Sequence, residues 1–190
     1  MTAGLILAAG ESRRMGSPKA LLRYKESTFL DALSRLLAEH CSPVIVVLGA
    51  SAEQVRAGSK APAKFVVNTE YRLGQTTSMQ CGLRVVPPDA EGVIFTLVDH
   101  QAVSPLTIDA LLAPPLPLLR VPRYRGQRGH PVWLRRDLIP EFLALPPDGA
   151  ARDIVHSHRE HTEYVDLDDP GIVADIDDPA AYRELTGAGA

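Results

Sequence analysis

The stretch from Leu5 to Leu22, LILAAGESRRMGSPKALL, constrains this chain more than any other. Leu5 to Ala9 is an unbroken apolar run, the mark of a strand buried on both faces of a parallel sheet. The loop that follows is punctuated by Gly10 and Gly16, turns at Pro18, and carries Arg13, Arg14 and Lys19. Glycines let backbone N–H groups turn inward, and the cations neutralise what they face. A buried strand feeding such a loop is suited to an anion, and a polyphosphate is the obvious guest. Two common phosphate loops are excluded. A Walker loop needs Lys directly after its second glycine, whereas Gly16 is followed by Ser17 and Pro18, and Lys19 comes later. The dinucleotide pattern G-x-G-x-x-G is absent as well.

Composition supports a globular chain with a real core: 190 residues, 45% hydrophobic and 23% charged. A net charge of -3 gives no global electrostatic case for nucleic acid or an anionic membrane. Aromatic content of 5% disfavours a stacking platform for single strands. No apolar run is long enough to span a bilayer. The N-terminal apolar run has no basic region ahead of it and reads as a core strand, so a cytoplasmic protein is expected. Cys41 and Cys81 form neither a disulfide framework nor a zinc pattern and are expected to be reduced, buried thiols.

Periodicity then orders the chain. Thr28 to His40 predicts a helix, with Phe29, Leu33, Leu36 and Leu37 on one face and a capping box from Thr28 to Asp31. Val44–Leu48 and Phe65–Asn68 read as buried strands, with a short helix through Glu53, Gln54 and Val55 between them. Thr76 to Val86 is a helix stopped by Pro87 and Pro88, Gly92–Val98 a strand, and Pro105–Leu112 a helix with proline at its first position. This alternation predicts an α/β fold, a doubly wound, mostly parallel sheet with helices on both faces and ligands at the carboxyl ends of its strands. Gly10 and Asp99 then share one rim. The second half is less regular. Strands near Leu118–Tyr124 and Pro131–Leu134 flank a turn at 126–129 and predict a small β insertion. Helices follow at Asp137–Leu145 and Ala150–His158, extended segments at Glu163–Leu167 and Ile172–Ile176, and a closing helix at Pro179–Leu185 before a frayed tail.

Several polar residues invite chemistry. Asp99, just past a strand, is placed for a hard cation, which favours one or two carboxylates together with substrate phosphates. Thr76, Thr77 and Ser78 cluster at a helix N-terminus, where they serve a ligand, a cap or both. Arg120, Arg123, Arg125 and Arg128 make a local basic patch, although strand alternation sends some of them to the opposite face. Asp166, Asp168 and Asp169 read as solvated loop charge, and His156, His158 and His161 as surface histidines.

The run Leu7-Ala8-Ala9-Gly10-x-Ser12-x-Arg14-Met15-Gly16-x-Pro18-Lys19-x-Leu21-Leu22 resembles the first motif of the MobA-like NTP transferases. It is closest to the branch typified by molybdenum cofactor cytidylyltransferase. Later segments resemble that family in the same order. Leu97–Gln101 is similar to its metal motif, with His100 and Gln101 where a proline is usual. Gly74-Gln75-Thr76-Thr77-Ser78-Met79-Gln80-Cys81-Gly82-Leu83 is similar to its base and sugar segment, with Met79 in place of Leu. Gly129-His130-Pro131 matches its acceptor motif, Asp148 to Arg152 resembles a further segment with Ala150 in place of Gly, and Asp175-Ile176-Asp177-Asp178-Pro179 resembles its C-terminal acidic motif.

The resemblance implies one Rossmann-like nucleotidyltransferase domain over residues 1–190. Leu7, Ala8, Ala9, Gly10, Ser12, Arg13, Gly16, Gly74, Ser78 and Gly82 would bind the nucleotide. Arg14, Lys19 and Asp99 would be catalytic. Mg²⁺ would sit on Asp99 and Asp177, with Asp175 as the fallback, and His130, Arg128 and Arg152 would meet the acceptor. Ala9, where a guanylyl-type loop has a second glycine, implies CTP. The implied reaction moves CMP onto a phosphate-bearing acceptor, the molybdenum cofactor, and releases pyrophosphate. A sugar-1-phosphate or other phospho-alcohol nucleotidyltransferase is the alternative enzyme. A non-catalytic NTP-binding module for a molybdoenzyme partner is the alternative outside catalysis. Neither nucleic acid nor membrane is an expected partner.

Overall fold

A strand that is apolar at every position must be covered on both faces, and β1 (Thr2–Ala8) is buried from Ala3 onward. The computed structural model describes residues 1–176 and 178–186. After β1 come a short antiparallel pair, β2 (Arg23–Tyr24) and β3 (Ser27–Thr28), and then α1 (Phe29–Ala38). β4 (Val44–Leu48), α2 (Ala52–Gly58), β5 (Lys64–Val67), α3 (Gln75–Leu83), β6 (Gly92–Leu97) and α4 (Pro105–Leu112) complete the first half. The second half holds β7 (Leu119–Tyr124), β8 (Gln127–Arg128), β9 (Val132–Arg135), α5 (Ile139–Ala144), α6 (Ala151–Ser157), β10 (Thr162–Asp166) and α7 (Pro179–Thr186).

The main sheet runs β10-β7-β9-β6-β1-β4-β5, with β8 folded back on β7. β1 pairs in parallel with β4 and β6, so Leu5 lies opposite Ile45 on one side and Phe95 on the other. β9 is antiparallel to β6 and β7, and β10 is parallel to β7. The strands read as a small insertion therefore extend the main sheet rather than standing apart from it. Ile172–Ile176 is not a strand: a 3-10 turn spans Pro170–Ile172. The tail beyond Thr186 lies outside the described residues.

Strand alternation divides the core into two layers. Ile6, Val46, Leu48 and Ile94 pack with Phe29, Leu30, Leu33 and Leu37 of α1 and Ile108 and Leu111 of α4. Leu5, Leu7, Ile45, Val47 and Phe95 pack with Met79 and Leu83 of α3, Phe142 of α5 and Ile154 of α6. Thr28 caps α1 by accepting from the Asp31 N–H at 3.1 Å, while the Asp31 carboxylate accepts from Ser59 and the Lys60 backbone instead of closing the box. Ser104 caps α4 ahead of Pro105. Strand order reverses at β1, so the chain leaves β1 and β6 toward opposite faces and a crevice opens at their carboxyl ends. Among the described residues no helix is long and apolar enough to cross a membrane.

Candidate functional site

Leu7 lies opposite Leu97, so the loops leaving β1 and β6 share one rim. The β1 loop turns through Ser12 and Gly16, both left-handed at φ 50° and 68°. Ser12 Oγ accepts from the Lys19 backbone N–H at 3.0 Å, which folds the loop back on itself. That fold sends the Lys19 side chain across the rim, where Nζ is 2.9 Å from Asp99 Oδ2. Both side chains are mostly buried, at 15% and 13% exposure, so the pair is only partly screened by water. Asp99 Oδ1 is buried with no hydrogen-bond partner among the described residues.

Between these loops lies a cleft of about 490 Å³. Leu7, Ala8, Ala9, Gly10, Ser12, Arg13, Arg14, Lys19, Gly74, Ser78 and Asp99 line it, joined by Glu11, Tyr71 and Gln75. A Cβ on Gly10 would meet no protein atom within 4 Å, so packing does not demand glycine there. Gly49 is the opposite case. A Cβ on it would fall 2.7 Å from the Ala9 carbonyl oxygen and 2.8 Å from both Ala9 Cβ and Tyr71 Cβ, so these three residues form one tightly packed wall. Glu11 pairs with Arg13 and accepts from Arg72 Nε at 3.3 Å. The hydrogen bond from Arg13, then that from Arg72, hold the Glu11 carboxyl below its usual range.

A second cavity of about 390 Å³ adjoins the first, and Gln75 lines both. Its walls are mostly apolar (Met79, Phe95, Leu119, Val121, Leu134 and Phe142), and its charge comes from Arg128 and Arg152, with His130 beside them. The Arg128 guanidinium lies 4.9 Å from the centre of the Tyr164 ring, which anchors it. His130 packs edge-on to Phe95 at 5.5 Å and lies 4.9 Å from the ring of His100. Burial, and then the neighbouring His100, push the His130 pKa down to about 4. Burial lowers that of His100 too, against the opposing pull of Asp99.

This geometry can grip a polyanion on one side and admit a second substrate on the other. Comparison with known proteins shows which family builds it. The MobA-like NTP transferase domain matches residues 4–162. The chain belongs to the MobA-like NTP transferase family. It is 30% identical over 187 residues to Nicotine blue oxidoreductase of Paenarthrobacter nicotinovorans, covering 92% of this chain and 91% of that one. It is 25% identical over 182 residues to Molybdenum cofactor cytidylyltransferase of Escherichia coli, covering 92% and 90%. Among solved structures, Rv0371C of Mycobacterium tuberculosis in complex with manganese matches with a TM-score of 0.82 at 29% identity, over 98% of each chain.

Within this MobA-like fold, most residues singled out from the sequence gather at the two cavities, with clear exceptions. Gly82 is not on the cleft wall. A Cβ there would sit 2.3 Å from Leu5 Cδ1 and 2.9 Å from Val47 Cγ2, so Gly82 serves the contact between α3 and the sheet. Gly16 is not on the wall either, and its left-handed φ makes it a turn residue. Asp177 lies outside the described residues, and Asp175 is exposed. Arg120 belongs to the scaffold: it is 4% exposed and donates to the carbonyls of Leu111, Ala113 and Pro115 and to Glu163. Asp169 is not solvated charge, because it is buried and accepts from Ser104 N, Thr107 Oγ1 and Gly171 N. Its position before Pro170 was the available signal of a cap. Glu11, Tyr71 and Gln75 went unread as wall residues, since nothing in their spacing distinguishes them from loop polarity.

Proposed function

We propose that this chain transfers CMP from CTP to a phosphate-bearing acceptor, the molybdenum cofactor, and releases pyrophosphate, with residues 1–190 acting as one domain. The observation that carries this reading is the Lys19–Asp99 pair, which closes the first cavity beside a second one lined by Arg128, His130 and Arg152. The likeness to Molybdenum cofactor cytidylyltransferase over 92% of the chain supports the choice of nucleotide and acceptor.

In this reading the triphosphate lies along the β1 loop. Gly10 lets the backbone approach it, since any side chain there would project into open space. Lys19 and Arg14 hold the β- and γ-phosphates and stabilise the charge that grows on the departing pyrophosphate. An oxygen of the acceptor phosphate forms a bond to the α-phosphorus, and the α–β bridging P–O bond breaks with its electron pair leaving on pyrophosphate. Arg128 and Arg152 orient the acceptor anion, so the reaction is served mainly by positioning and charge neutralisation.

Members of this family use a divalent metal, and the residues present fit one. A buried carboxylate oxygen without a partner, Asp99 Oδ1, is the hard donor that Mg²⁺ selects. Asp99 would hold Mg²⁺ together with Asp177 or, in its place, Asp175. When bound, the ion supplies charge neutralisation between the triphosphate and the incoming anion.

The test is pyrophosphate release from each of CTP, GTP, ATP and UTP with Mg²⁺ or Mn²⁺, using molybdenum cofactor or a sugar 1-phosphate as acceptor. Release with CTP and molybdenum cofactor is expected. Release only with the sugar phosphate replaces the acceptor, and CTP binding without release under any condition makes the chain a nucleotide-binding module. The 30% identity to Nicotine blue oxidoreductase favours a second reading, a redox enzyme whose β1 loop grips the pyrophosphate of a nicotinamide dinucleotide. Oxidation of a reduced nicotinamide cofactor with a quinoid acceptor, and no pyrophosphate from any NTP, would replace the first reading with that one.

A further inference from the structure

Buried polar atoms without a partner are rare in folded proteins, and each one needs an explanation. In this molecule several fall on adjoining residues. Asp99 Oδ1, His100 Nδ1, both amide atoms of Gln101 and His130 Nδ1 are buried without a hydrogen-bond partner among the described residues. Asp99 lines the first cavity and His130 the second. His100 stands between them: it follows Asp99 in the chain, its ring lies 4.9 Å from that of His130, and it is 6% exposed. An acceptor in the second cavity must pass this pair to reach a nucleotide in the first. A metal does not account for the cluster, because no group of three His, Cys, Asp or Glu side chains among the described residues could hold one.

The chemistry of the two rings narrows the ligand. The backbones of Gly171 and Phe95 hydrogen-bond to His100 and His130 respectively, as carbonyls facing a ring N–H. The other nitrogen of each neutral imidazole is then an acceptor. Two acceptor nitrogens beside the Asp99 carboxylate repel a fully ionised oxyanion and favour an oxygen that still carries its proton. A phosphate monoester holds such a proton up to a second ionisation at about pH 6.

We propose that His100 and His130 together form an inner acceptor subsite that seats a monoprotonated phosphate at the junction of the two cavities, its P–OH donating to an imidazole nitrogen. The direction of approach rests on the nucleotidyl-transfer reading; the subsite itself rests on the unpartnered ring atoms. His100 thereby joins Arg128, His130 and Arg152 as the acceptor residue nearest the first cavity.

The test titrates inorganic phosphate into the full-length protein with chelator present to exclude metal. Imidazole nitrogens are followed by proton–nitrogen NMR, and affinity is measured by calorimetry. The expected result is that the rings of His100 and His130 both shift along one saturation curve, and that His100→Phe weakens phosphate binding about tenfold, the effect of losing one hydrogen bond to a charged ligand. His100→Asn, which keeps an acceptor atom, recovers part of that loss. Phosphate that binds without moving either ring, binds equally well to His100→Phe, or does not bind at all overturns the subsite. If His100→Phe does not fold, the wild-type spectra decide. Pyrophosphate release is assayed on the same preparations. Its absence while both rings respond overturns the transfer reaction and leaves the subsite standing.

Discussion

Lys19 and Asp99, eighty positions apart in the chain, meet at 2.9 Å across the rim where β1 and β6 end. Neither residue reaches the other through its own loop alone. Ser12 turns the first loop back onto Lys19, and parallel pairing of β1 with β6 brings Asp99 to the same rim. Their contact organises the cleft before any ligand arrives.

Removing either partner should therefore disable the site. Lys19→Met and Asp99→Asn are each expected to lower pyrophosphate release by about 10²–10³-fold, the range seen when one preorganised electrostatic group is lost. The two losses should not add in the double variant, because each single change already breaks the same contact. Steady-state rates for the three variants check this. Additive losses would show that the residues act separately.

How far the residues alone foretold this arrangement depends on what each one does. The apolar runs at Leu5–Ala9, Val44–Leu48 and Gly92–Val98 were readable because burial on both faces demands uninterrupted hydrophobicity, and all three are strands of the sheet. The rim followed from topology, since parallel strands share one carboxyl end. Arg120 was not readable. In sequence it is one of four arginines, and only the fold turns it inward against the carbonyls that follow α4. Gly82 was misplaced for a related reason: a motif position and a packing position look the same until Leu5 and Val47 are seen to press on it.

Arg120 should behave as part of the scaffold. It is a buried cation satisfied by several carbonyls and by Glu163, so Arg120→Ala strips those acceptors of their donor and leaves a void. A loss of about 3–5 kcal/mol is expected, as when one partner of a buried charged network is removed. Urea denaturation measures it. Arg123→Ala, whose pair with Asp166 is exposed, should cost no more than about 1 kcal/mol.

Stability should fall in mild acid through His130. Its pKa is about 4 in the folded protein against an ordinary value of 6.5, so in that interval the unfolded chain binds a proton that the folded chain does not. More protons on the unfolded state mean that stability rises with pH. The contribution is complete above the ordinary value and is lost progressively as pH falls toward the folded one. His130→Gln removes this group and should flatten the fall. Urea midpoints for both proteins between about pH 7 and about pH 5 check it, a window above most carboxylate titration.

Gly10 and Gly82 should give opposite signatures although both belong to glycine-containing motifs of the chain. Gly10→Ala adds a methyl that meets no protein atom within 4 Å, so stability should stay within about 0.5 kcal/mol of wild type. The same methyl enters the space above the β1 loop and should weaken CTP binding about tenfold by displacing the phosphates from the backbone. Gly82→Ala drives a methyl to within 2.3 Å of Leu5 Cδ1, in a core where Leu5 and Val47 are fully buried and cannot retreat. Overpacking of this kind costs about 1–3 kcal/mol, more than the ~1 kcal/mol that alanine gains over glycine in a helix. Thermal unfolding should therefore shift downward for Gly82→Ala and not for Gly10→Ala, while calorimetric CTP affinity shifts in the reverse order. A large stability loss in Gly10→Ala would mean that the β1 loop packs more tightly than its open surroundings indicate, and that glycine is required there by the fold rather than by the nucleotide.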